Sequence, residues 1–169
     1  MSIVYRHGNL LDCKETLIAH GCNAQGAFGS GVAGAIAKRW PQARDVYIEE
    51  HKRIPFKLGD VEFVRLTPKE SGRPETTIWI AHCITQERFG SDGKRYASPE
   101  AIGVALSVVR NLARRDLMID RIALPRIGCG LGGLDWEKDQ IAEIYENVLH
   151  PIIPVVYDID KIEGTVYTE

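Results

Sequence analysis

The sequence predicts an α/β protein built in layers around a mixed sheet, and three observations carry that prediction. Short apolar stretches alternate with helical patterns through the second half of the chain, which places strands beside helices that cover them. Two β-prone stretches near the start follow one another with no helix between them, so the sheet is mixed rather than purely parallel. The chain has 169 residues, 44% of them hydrophobic and 26% charged, the size and composition of one globular domain and not of a disordered segment.

Ile3 to Tyr5 and Thr16 to His20 are the first two strands, separated by a turn at Gly8-Asn9 and a polar segment. Val32 to Trp40 is apolar and alanine-rich at helical spacing, and Pro41 ends it and starts a second helix. That second helix is polar to Arg53, with Val46 and Ile54 on one side. Val61 to Leu66 alternates as a half-buried strand does. Thr76 to Ile84 is apolar enough to be buried on both faces, with His82-Cys83 near its end. Ser98 caps the next helix, Pro99 takes its first position, and Ile102, Leu106, Val109 and Ala113 share a face. Arg121 to Pro125 is a buried strand. Asp135 caps a helix from Trp136 to Leu149, with Ile141, Ile144, Tyr145 and Val148 on its apolar side. Ile153 to Tyr157 is the last core strand, and the tail returns as an edge strand at Thr165 to Tyr167.

No repeat, linker or low-complexity run divides the sequence, so a single domain over residues 1–169 is expected, with its core at 3–157 and a tail at 158–169. Lys plus Arg number 21 against 23 Asp plus Glu, a net charge of −2. This balance argues against general nucleic-acid binding. No apolar run reaches the roughly 20 residues of a membrane span, and the first residues lack a signal peptide's apolar segment. Four cysteines without a CxxC pair predict reduced thiols in a cytoplasmic protein and no metal site.

Two glycine-rich segments carry the functional signal. His20 to Gly34 (HGCNAQGAFGSGVAG) holds five glycines between a strand and a helix. Arg126 to Asp135 (RIGCGLGGLD) holds four in a similar place. Glycine lets backbone N–H groups approach a ligand closely, and a helix start adds unpaired donors that suit phosphate. Two such loops suit two linked phosphates, whereas tight turns alone need fewer glycines. Gly29-Ser-Gly-Val-Ala-Gly34 also fits the GxGxxG dinucleotide pattern, but it lies nine residues beyond His20, and Glu49 and Glu50 fall on a helix rather than at a strand end. Neither loop has the lysine of a P-loop.

These segments, together with Gly8-Asn-Leu-Leu11 and the run from Pro125 to Trp136, resemble the macrodomain family of ADP-ribose-binding modules. The likeness covers residues 3 to 157. The last motif resembles the branch of ADP-ribose 1″-phosphate phosphatases, terminal ADP-ribose glycohydrolases and antitoxins acting on ADP-ribosylated DNA. The resemblance implies a three-layer α/β/α sandwich with a mixed central sheet. It puts Asn9 and Leu10 at the adenine end of a cleft, with Tyr157 either flanking adenine or packing in the core. Asn23 contacts the distal ribose, Gly29, Ser30, Gly31 and Val32 form the first diphosphate loop, and Ile127, Gly128, Cys129, Gly130, Leu131 and Gly132 form the second.

The lysine and aspartate of the glycohydrolases match Gln86 and Gly132 here, so a Schiff-base mechanism is not available. The phosphatase-like members resemble this chain at His20-x-Cys-Asn23. His20 is therefore a candidate acid–base, or else a histidine satisfied by backbone. Asn23 and Asp135 complete the candidate catalytic set, Asp135 either orienting water or only capping a helix. Cys22 and Cys129 fall in the cleft as small packing residues. Lys94 and Arg95, in the loop from Phe89 to Tyr96, meet either phosphate or solvent. The expected function is hydrolysis of ADP-ribose 1″-phosphate without a cofactor. The alternatives are a non-catalytic ADP-ribose reader and removal of ADP-ribose from protein or nucleic acid. The expected partners are ADP-ribose, its derivatives and ADP-ribosylated macromolecules, with no membrane.

Overall fold

A computed structural model describes residues 3–168. Met1, Ser2 and Glu169, the ends of the expected domain, lie outside the described residues. Six strands form one sheet in the order β1-β6-β5-β2-β4-β3: β1 (Val4–His7), β2 (Leu17–Asn23), β3 (Val61–Leu66), β4 (Ile78–Gln86), β5 (Arg121–Leu124) and β6 (Ile153–Asp158). All neighbours are parallel except β3, which runs antiparallel to β4 at the edge. The mixed sheet of the sequence reading is therefore present, and its single antiparallel pair joins β3 to β4, not the first two strands.

Two apolar layers sandwich the sheet. On one face α1 (Gly31–Arg39) and α2 (Pro41–Arg53) cover Ile18, Ile80 and Ile84, with Ile36, Trp40 and Tyr47 buried between them. On the other face α4 (Pro99–Leu112) and α5 (Ile141–Leu149) cover Leu17, Ala19, Ala81 and Ile122. The period of two along β2 explains the split: Leu17 and Ala19 point one way, Ile18 and His20 the other. α4 begins as its sequence predicts, with Ser98 Oγ accepting from Ala101 N at 3.1 Å and Ile102, Leu106, Val109 and Ala113 fully buried.

Several boundaries differ from the sequence reading. β2 and β4 continue to Asn23 and Gln86, because parallel pairing to each other satisfies their backbones past the apolar runs. A one-turn helix, α3 (Pro68–Ser71), is built on a Thr67–Glu70 capping box. Ile54 is exposed, and Ala43 and Tyr47 form the buried side of α2 instead. Asp135 does not start a helix. Residues 136–140 are successive turns ending at Gln140 in the left-handed region (φ 58°), and α5 begins only at Ile141. Among its described residues the tail forms no strand: Thr168 N donates to Tyr5 O at 2.9 Å and Thr165 Oγ1 accepts from Arg126, and these bonds hold it beside β1.

Candidate ligand cleft

Because β2, β4, β5 and β6 run parallel, their carboxyl ends share one rim, where ligands of open α/β sheets collect. A cleft of about 580 Å³ opens there. The loop after β2 forms one wall, the loop after β5 the opposite wall, and the start of the loop after β4 closes one end. Of the residues singled out in the sequence, Cys22, Asn23, Gly29, Ser30, Gly31, Val32, Ile127, Gly128, Gly130, Leu131 and Gly132 line it.

The first wall is held open by Asn23. Its Oδ1 accepts from Gln25 N (2.9 Å), Ala27 N (3.3 Å) and Tyr47 Oη (3.1 Å), and its Nδ2 donates to Ala27 O (2.8 Å). The loop then enters α1 at Gly31, whose φ of 60° is the left-handed region that glycine tolerates. Ser30, the N-cap, makes no side-chain capping bond. The first N–H groups of α1 consequently face the cleft without a cap, an arrangement suited to an anion.

The second wall is a compact turn. Gly133 N donates to Gly130 O (3.1 Å) and Leu134 N to Gly128 O (2.8 Å), while Gly132 O accepts from Tyr96 N and Ala97 N. A Cβ on Gly132 would stand 2.6 Å from Gly128 O, so glycine is required by packing there. The buried Tyr145 hydroxyl fixes the turn's entry by accepting from Ile127 N (2.9 Å) and donating to Pro125 O (2.6 Å). The amides of Gly128, Gly130, Leu131 and Gly132 have no protein acceptor among the described residues.

Electrostatically the cleft is simple. Among the described residues its lining has no carboxylate, lysine or histidine, and its ionisable side chains are Cys22 and Arg126. Burial pushes the Cys22 thiol well up. Arg126 is bidentate to Asp158 (3.0 and 2.8 Å) and lies over the rings of Tyr5 and Trp136. Burial opposes its charge, and the Asp158 carboxylate more than offsets this.

Six of the candidate site residues lie outside the cleft. His20 is fully buried and lines no part of the cleft. It lies on the α1–α2 face of β2 beneath Phe28 (ring centroids 5.7 Å apart), with Nε2 2.6 Å from His82 Nδ1. His82 Nε2 stands 2.9 Å from Ala43 O, which only accepts, so His82 donates from Nε2 and receives from His20 at Nδ1. Burial lowers both imidazoles, His82 to about 4. Asp135 is exposed, lies outside the cleft and accepts from Glu137 N and Lys138 N. Cys129 turns away from the cleft toward Ile127 O, and Leu10 is buried in the α1–α2 layer. Asn9 and Tyr157 line a separate cavity further along the rim. Asn9 Oδ1 caps a 3-10 turn at Leu11 N, and Tyr157 donates to Glu15. Lys94 and Arg95 pair with Asp92 and Asp139 outside the cleft. Gln86, Thr85, Phe89, Gly90, Ser91 and Arg126 line the cleft without having been proposed as ligand-binding. Their common signal is position at or just beyond the carboxyl end of a parallel strand, which only the strand order reveals.

Residues 19–144 match the family model described as Macro domain. An ADP-ribose 1″-phosphate phosphatase of Meyerozyma guilliermondii is 25% identical over 157 residues, covering 80% of this chain and 89% of that protein. A DNA ADP-ribosyl glycohydrolase of Mycobacterium tuberculosis is 27% identical over 137 residues; the match covers 80% of this chain but only 36% of the relative's length. A solved macrodomain protein from Streptomyces coelicolor superposes with a TM-score of 0.72 at 31% identity, over 93% of this chain and 99% of that one.

Proposed function

The chain belongs to the macrodomain family, and from that premise we propose that it binds ADP-ribose in the cleft and hydrolyses ADP-ribose 1″-phosphate to ADP-ribose and orthophosphate. The observation that carries the reading is the opposition of two walls of free backbone amides across a cleft with no carboxylate in its lining. A diphosphate is an acceptor on both sides and fits such a cradle. The yeast phosphatase, which resembles this chain across most of both lengths, supplies the reaction class. The protein acts as one domain over residues 1–169. Its four free cysteines fit a reducing, cytoplasmic setting.

In this reading Asn23 and Gln86 place the distal ribose and a water molecule. Water attacks phosphorus and gives its proton to the substrate's own phosphate. The bond from phosphorus to the 1″ oxygen breaks, and that oxygen takes the transferred proton back from the phosphate and leaves as the hydroxyl of ADP-ribose. The chain's contribution is positioning and charge stabilisation, since no acid–base side chain lines the cleft. The same scarcity favours a second reading, a non-catalytic ADP-ribose reader. Phosphate release from ADP-ribose 1″-phosphate, measured beside calorimetry with ADP-ribose and AMP, separates the two. Binding without release leaves the reader, and equal affinity for AMP and ADP-ribose refutes the two-walled cradle.

A further inference from the structure

We infer that the cavity beside the cleft holds a further phosphate, carried on the adenosine ribose, so that the preferred ligands are ADP-ribose derivatives phosphorylated at that end. This rests on the proposed function, with the adenosine end of the bound ADP-ribose extending along the rim from the cleft toward Asn9 and Tyr157. The cavity, of about 500 Å³, lies at the carboxyl ends of β1 and β6, on the same rim as the cleft. The Arg126–Asp158 pair links the two: Arg126 lines the cleft, and Asp158 accepts from Tyr167 Oη, whose residue lines the cavity.

The charge around this cavity is uneven in a chain whose net charge is −2. Arg6, Lys14 and Lys161 line it, and none has an ion-pair partner among the described residues. Among the described residues the lining has one carboxylate, Asp12, and the carboxylates of Glu15 and Asp158 behind it are engaged. Asp12 pairs with Arg39 at 2.8 Å, Glu15 accepts from Tyr157 Oη at 2.6 Å, and Asp158 is held by Arg126. The wall is also fixed in place. Tyr167 Oη bonds Asp158 and Ile162 N, and Thr168 N bonds Tyr5 O. Unmodified adenosine offers three cations nothing to neutralise. A phosphate monoester, with a charge of about −1.5 to −2 near neutrality, does.

The test compares ADP-ribose with ADP-ribose 2′-phosphate by calorimetry, for the wild type and for a Lys14→Glu/Lys161→Glu variant. The wild type should prefer the phosphorylated ligand about tenfold at low salt, the gain expected of two or three partly exposed charge pairs. The preference should shrink as salt shortens the Debye length. The variant should bind unmodified ADP-ribose within about twofold of wild type and lose the preference. Equal affinity of the wild type for the two ligands overturns the inference while leaving the proposed function standing, and so does a preference that survives in the variant. Failure of both ligands to bind overturns the function and the inference together. Millimolar orthophosphate should compete away the preference without displacing ADP-ribose, which assigns the effect to the phosphate alone.

Discussion

Gly130→Glu is the most direct test of the cradle. Gly130 lines the cleft, its φ is not in the left-handed region, and an added Cβ meets no atom within 4 Å. The fold therefore tolerates a side chain there, while the new carboxylate stands where amides await phosphate. At about 5 Å and an effective dielectric of about 20, one carboxylate and one phosphate charge repel by roughly 3 kcal/mol. Salt at physiological strength removes about half of this. A diphosphate has two charges, so the net loss is about 3 kcal/mol, or more than a hundredfold in affinity. Gly130→Ala, which adds only a methyl group, should change affinity less than about threefold. Calorimetry measures both, with thermal melting as the control for folding. An affinity within threefold of wild type in a cooperatively folded Gly130→Glu protein would place the phosphates elsewhere. Gly31 is a poorer test site, because its positive φ adds backbone strain to any substitution.

Three other predictions follow from the buried polar groups. His82 is neutral in the fold with its imidazole lowered to about 4. The unfolded chain, titrating near 6.5, binds the extra proton first. Stability is then full above about pH 6.5 and falls as pH drops toward 4, by on the order of 3 kcal/mol. Urea melts across that range check this, and His82→Gln should flatten the slope. Tyr145→Phe removes the bonds to Ile127 N and Pro125 O. It should cost about 1–3 kcal/mol of stability and weaken ADP-ribose binding through the loosened second wall. His20→Ala should lower stability by about 1–3 kcal/mol, because His82 Nδ1 loses its partner. Turnover per folded molecule should stay within about threefold; a loss of 10²-fold or more would restore an acid–base role to His20.

Most of the fold was legible because its strands and helices announce themselves locally. Ser98-Pro99 and the Ile102–Val109 face predicted α4, and the two glycine loops predicted where the rim opens. What failed required knowledge of neighbours. His20 in sequence is a histidine at the threshold of a glycine loop. In the fold its strand turns it under Phe28 to meet His82, from a strand sixty residues away. Asp135 has the identity of an N-cap, but it caps only an isolated turn, since Gln140 leaves helical geometry before α5 begins. Arg126 was read only as the start of a motif. Its place in the cleft depends on Asp158, Tyr5 and Trp136, three partners that no local pattern joins to it.

An anion held by main-chain amides is held by groups that neither gain nor lose a proton anywhere in the biological range. The charged side chain in this lining is already neutralised by Asp158 and packed against two aromatic rings. Grip on the diphosphate is thereby uncoupled from ambient acidity. The cleft also lacks the loose lysines that would attract nucleic acid, free phosphate and other anions without discrimination. Shape, not charge, becomes the criterion for entry: a ligand must present its two phosphates at the separation of the two loops, or it finds nothing to bind.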